Sequence, residues 1–79
     1  MIVRDMIKQN LIVVEEEYED YTSYTVSDKN VIKYNDELVL NVDVNSNGSV
    51  WVITMQGREH IGEYGFEDVD DIPVEIFTK

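Results

Sequence analysis

An α+β fold that is mostly β, with a short N-terminal helix ahead of a five- to six-stranded antiparallel sheet, follows from three features of this 79-residue chain. Apolar residues at helical spacing open it. Alternating apolar and polar residues then take over, and Asn47-Gly48 separates the two clearest alternating runs. So many strands and one helix cannot bury their apolar sides as a flat layer, so a strongly twisted meander or a small, partly closed barrel is expected, with the helix covering one face or end.

Ile2, Val3, Met6 and Ile7 share a helical stripe, with Asp5 early and Lys8 late as the helix dipole favours. A helix over about Val3 to Gln9, ending near Asn10, is predicted. Two turns cannot stand alone, so its apolar side must pack on the domain. Leu11 to Glu17 begins apolar and turns acidic, as a strand does when it leaves the core for a sheet edge. Thr22–Val26 and Val31–Tyr34 flank Ser27-Asp28-Lys29-Asn30, a cluster of turn formers that predicts a hairpin. Between Glu37 and Met55, Leu38, Leu40, Val42 and Val44 alternate with Val39, Asn41 and Asp43. Asn45 to Gly48 turns the chain, and Ser49 to Met55 returns. Gly57, Gly62 and Gly65 are expected to break the following chain into short pieces. Pro73 suits the start of a last, edge-type strand, Val74–Phe77.

The length fits one domain spanning residues 1–79. With no cysteine, neither a disulfide framework nor a thiolate metal site is available, which favours a reducing, cytoplasmic setting. The first residues include Arg4 and Asp5 and lack the apolar core of a signal peptide, and no run approaches a membrane span. The formal charge of −11 argues against direct binding to nucleic acid or to anionic membranes.

Chemistry-bearing constellations are sparse. Asp43-Val44-Asn45-Ser46-Asn47-Gly48 matches the opening of a calcium loop, but Thr54 holds the position of its bidentate Glu and the flanks read as strands. His60, the single histidine, stands near Glu59 and Glu63 with no second His and no Cys, too little for a metal centre or an acid–base pair. No cofactor, no metal and no enzymatic activity are therefore expected. Trp51 and Tyr34 are assigned to the core. Tyr18, Tyr21, Tyr24, Tyr64 and Phe66 accompany the acidic segments, as core rings with wet hydroxyls or as interface anchors.

The acids themselves carry the strongest signal. Between Gln9 and Asp28 stand six carboxylates and no Lys or Arg; between Glu59 and Thr78 stand seven more, again with no Lys or Arg. In an extended strand Glu15, Glu17 and Glu19 would share a face at steps of about 6.8 Å, imitating a row of phosphates. In size, charge and β-rich pattern the chain resembles, as a class, small acidic proteins, many of them phage-encoded, that inhibit nucleic-acid-processing enzymes: anti-CRISPR, anti-restriction and glycosylase-inhibitor proteins. That resemblance implies a non-enzymatic inhibitor or decoy whose partner is a basic, nucleic-acid-binding enzyme. The residues expected to engage it are Glu15, Glu16, Glu17, Tyr18, Glu19, Asp20 and Tyr21, with Glu63, Phe66, Glu67, Asp68, Asp70 and Asp71. The alternatives are an assembly module that forms homodimers or larger complexes through a strand edge, and a calcium-responsive domain.

Overall fold

The computed structural model describes residues 3–63 and 74–78. Helix α1 (Val3–Lys8) precedes seven strands: β1 (Ile12–Glu17), β2 (Tyr21–Val26), β3 (Asn30–Tyr34), β4 (Glu37–Asn45), β5 (Ser49–Thr54), β6 (Gly57–Glu63) and β7 (Val74–Thr78). Every pairing is antiparallel. The architecture is the predicted one: a short helix, then an antiparallel, mostly meandering sheet.

Helix α1 stops where the sequence changes its backbone preference. Asn10 adopts a left-handed φ of 58°. Its N–H donates to the Ile7 carbonyl (3.0 Å), and the Leu11 N–H reaches back to that of Met6 (2.9 Å). These two bonds make a Schellman cap, satisfying carbonyls that the helix leaves open. Val3 and Met6 are buried, and Ile7 and Leu11 pack against the same cluster. Each full burial of such a side chain contributes about 1.5–3 kcal/mol, which is what holds a six-residue helix in place.

Strand β4 organises the sheet. On one side it pairs β5 along most of its length, and β5 pairs β6. On the other side Asn41–Asn45 pair β2, while Glu37 and Leu38 pair β3. The result is a five-stranded layer, β1-β2-β4-β5-β6, with β3 and β7 branching from the start of β4. Val39, Val42, Val50 and Val52 face inward with Ile12, and α1 and Ile32 of β3 complete the buried cluster. Strands β2 and β3 diverge around a cavity of ≈ 220 Å³ lined in part by Val26, Val31, Leu38 and Leu40.

Several expectations are corrected by turn and bulge chemistry. The predicted hairpin between Thr22–Val26 and Val31–Tyr34 does not form. The turn exists, with Asn30 N–H donating to the Ser27 carbonyl (2.9 Å), but β2 pairs β1 and β4 whereas β3 pairs β4 and β7. The tight hairpin is the next one. Asn35 and Asp36 both take positive φ (50° and 65°), the type I′ geometry that matches strand twist, and they bring Tyr34 opposite Glu37. The alternation through Leu38, Leu40, Val42 and Val44 is interrupted by a bulge at Leu40, so Leu38 and Leu40 are exposed and Val39 is buried instead.

Gly57 and Gly62 do not break the chain either. Gly57 opens β6 directly after the Met55-Gln56 turn. Gly62 sits beside a bulge in which Ile61 is the extra residue, a common place for glycine in a strand. With β6 continuous, the described strands number seven, where five to six were expected. Among the described residues β1 and β6 are the edges of the layer, which is not closed into a barrel. Strand β7 begins at Val74 and pairs β3 alone among the described residues, as its edge character predicts.

The Asn45–Gly48 hairpin is built as its composition demands. Gly48 N–H donates to the Asn45 carbonyl (2.9 Å), and Gly48 takes φ 94°. A type I turn followed by a left-handed residue is the standard three-residue hairpin connection. Asn47 Oδ1 accepts from the Ser49 N–H (2.9 Å) and hydroxyl (2.8 Å), and Asn45 Nδ2 donates to the Ser49 carbonyl (3.2 Å).

Candidate acidic docking site

Strand β1 pairs β2 with a bulge at Glu15: Val14 stands opposite Tyr24 and Glu16 opposite Ser23, leaving Glu15 as the extra residue. A bulge of this kind turns two successive side chains toward one side. Glu15 and Glu16 therefore share the outer face, away from the core, and Glu17 falls on the other. Asn41 of β4 confirms the direction, since its Nδ2 donates to Glu15 Oε2 and to the Ser23 hydroxyl (3.3 Å). The expected row of Glu15, Glu17 and Glu19 on one face is thereby corrected. The bulge shifts the period, and β1 ends at Glu17, leaving Glu19 and Asp20 in the turn to β2.

That turn closes tightly. Tyr18 N–H donates to the Tyr21 carbonyl (2.8 Å), and the two rings stack with centroids 4.5 Å apart and planes 21° from parallel. Tyr18 is half exposed. Its hydroxyl pKa is raised from the ordinary value of 10.0, first by partial desolvation and then by Tyr21, Glu16, Glu15 and Asp43 nearby. Those neighbours define a cluster: three carboxylates and a tyrosine pair on the outer face of β1, β2 and β4.

Across the same face, Ser23, Asp43 and Trp51 occupy one register row. The Arg58 guanidinium lies 4.8 Å from the centre of the Trp51 ring and 3.9 Å from Asp43. The assignment of Trp51 to the core is thus overturned: it is absent from the buried cluster, and it stands on the outer face because Val50 and Val52 flanking it point inward. Tyr34 does pack against the core. Asn41, Asp43, Trp51, Ser23 and Arg58 were not among the residues expected from sequence. The alternation of Asn41 and Asp43 with Val42 and Val44 was the signal for two of them.

Of the sequence-predicted residues, Glu15, Glu16, Glu17, Tyr18, Glu19 and Asp20 are exposed along one edge, with Tyr21 half-buried beside them. Glu63 ends β6 at the opposite edge, four strand spacings or roughly 19 Å away. That is more than two Debye lengths at physiological salt, so it does not belong to the same local field. Phe66, Glu67, Asp68, Asp70 and Asp71 lie outside the described residues.

The five-stranded layer is strongly acidic. Its strands carry seven carboxylates (Glu15, Glu16, Glu17, Glu37, Asp43, Glu59 and Glu63), one Arg (Arg58) and no Lys. Arg4 and Lys8 are on α1, Lys29 is in the turn before β3, and Lys33 is on β3. Among the described residues no group of three or more His, Cys, Asp or Glu is placed to hold a metal ion, and no helix is long and apolar enough to cross a membrane. At the calcium-like segment the flanks are strands, Asn47 Oδ1 is engaged by Ser49, and Thr54 is buried with its hydroxyl accepting from the Gln56 N–H (3.1 Å). No family model, curated protein or solved structure matches the chain.

Proposed function

We propose that this protein is a non-enzymatic decoy that binds the basic nucleic-acid groove of a nucleic-acid-processing enzyme, in the manner of anti-CRISPR or anti-restriction inhibitors, and acts in the cytoplasm. The observation that supports it is the acidic cluster on the outer face, where Glu15, Glu16 and Asp43 gather around a stacked tyrosine pair, on a layer whose strands carry one Arg and no Lys. A rigid sheet presents these charges without the ordering cost of a flexible acidic tail. Carboxylates would stand in for phosphates, long-range attraction would speed encounter, and Tyr18, Tyr21 and Trp51 would supply short-range contact area.

The test is capture from lysate at low and at high salt, followed by competition. A partner that is a nucleic-acid enzyme, released by salt and blocked by its own bound DNA or RNA, supports the decoy reading. A partner that binds equally well with its groove filled refutes it.

A further inference from the structure

The edge of β1 offers more than charge. Among the described residues β1 pairs β2 alone, and Val13 and Val14 are 40% and 52% exposed. Which of its backbone groups remain open follows from the ladder. Ser27 N–H donates to the Leu11 carbonyl and Tyr18 N–H to that of Tyr21, so these are hydrogen-bonded pairs. Such pairs alternate with non-bonded ones in an antiparallel ladder. Counting inward from each end, through the bulge at Glu15, Val13 and Glu16 bond toward β2. Val14 and Glu17 point their N–H and C=O groups outward.

An open edge of this kind is a template for another strand. The side chains along it select the occupant. The first half is apolar, the second is Glu15-Glu16-Glu17, and Glu19 and Asp20 follow in the turn. A second copy would bring another −11 charge to the same edge, whereas a basic segment would be attracted.

We infer that the free edge of β1 is a strand-addition site for an extended, basic segment of the partner, paired through its backbone to Val14 and Glu17, with apolar residues beside Val13 and Val14 and Lys or Arg beside the glutamates. The inference rests on the proposed reading for the sign of the partner's charge, and adds where and how it docks. Backbone pairing supplies a geometric requirement that charge attraction alone lacks.

Residue-resolved amide hydrogen exchange on the full chain tests it, with a short peptide of alternating Val and Lys as the probe. A second peptide keeps the sequence and charge but carries N-methyl groups on alternate amides. The first peptide should slow exchange at Val14 and Glu17 by roughly tenfold or more, leaving Val13 and Glu16 little changed, and the N-methylated peptide should not. Val14→Pro should retain the fold, because proline is tolerated where an edge N–H faces solvent, and should abolish that protection. No binding, binding without protection at Val14 and Glu17, or equal protection by both peptides would overturn strand addition. So would protection that grows with protein concentration in the absence of peptide, which would make a second copy the occupant. The peptide assay involves no enzyme and no nucleic acid, so failure of the decoy reading in competition leaves this result standing, and the reverse.

Discussion

The two sides of β4 impose opposite demands on neighbouring residues. Val39 and Val42 are 3% and 1% exposed and sit in the buried cluster with Val50, Val52, Met6 and Ile32. Asn41 and Asp43, between and beside them, join Glu15, Ser23 and Arg58 on the outer face. One face carries the stability of the domain and is covered by α1 and β3. The other has no described element packed on it. On the outer face Glu15, Glu16 and Asp43 stand at positions that do not build the core, so their mutual repulsion does not fall on buried residues.

Exchanging the two demands should have the largest effect. Val42→Asp places a carboxylate in the buried cluster, and an unpaired buried charge costs several kcal/mol, comparable with the whole stability of a domain this size. It should abolish cooperative unfolding in circular dichroism. Asp43→Asn, one residue away, loses only a partner at 3.9 Å from Arg58 and should cost less than about 1 kcal/mol. Similar losses for the two variants would mean that the faces are not distinct.

A smaller effect is expected at the hairpin that joins the two central strands. Gly48 holds φ 94°, where a β-branched side chain is strained, so Gly48→Val should lower stability by about 1–3 kcal/mol in denaturant titrations. Near-wild-type stability would show that the turn can reorganise without cost to either face.

Much of the fold was legible because local signals agreed. The helical stripe from Val3 to Ile7, the Asn47-Gly48 turn and the edge position of Val74 all appear where the residues put them. What stayed hidden were events of a single residue. A bulge at Leu40 exchanges which neighbours are buried, and a bulge at Glu15 moves Glu16 beside it and Glu17 away. Both depend on how a partner strand aligns, which no period within one strand encodes. The Asn35-Asp36 turn was readable in principle, since both residues tolerate positive φ, but the turn formers at Ser27–Asn30 competed for the same strands. The acidic character of the site was visible in composition. Its grouping with Asp43, Trp51 and Arg58 was not, because those residues come from strands whose order in the sheet is a tertiary property.

The outer face has its own reporter in Tyr18. Its raised pKa means that the folded state holds the phenolic proton more tightly than the unfolded chain. As pH climbs from the ordinary tyrosine value of 10.0 toward the raised one, the unfolded state loses its proton first, so stability should fall across that alkaline window and be unaffected below it. Glu15→Gln with Glu16→Gln removes two of the neighbours that raise it. In tyrosinate absorbance titrations, the Tyr18 midpoint should move down toward the ordinary value and stay partly raised by desolvation. A midpoint unchanged by both substitutions would remove Tyr18 from the acidic cluster.

The central claim, that the acid-rich layer is a docking surface, is tested most directly by association kinetics with the salt-released partner. Wild type is compared across ionic strength with Glu15→Gln/Glu16→Gln/Glu17→Gln and with a control, Asp36→Asn/Glu37→Gln, at the β3–β4 turn, where Asn keeps the positive φ of Asp36. The wild-type association rate should fall steeply with salt while dissociation changes little, because screening acts first on long-range steering. The β1 variant should show a clear loss of rate and of salt dependence, with a smaller change in the control and both variants still folded. An association rate indifferent to salt, or lowered equally by the two sets of substitutions, would contradict the docking claim and leave the carboxylates as a solubilising surface.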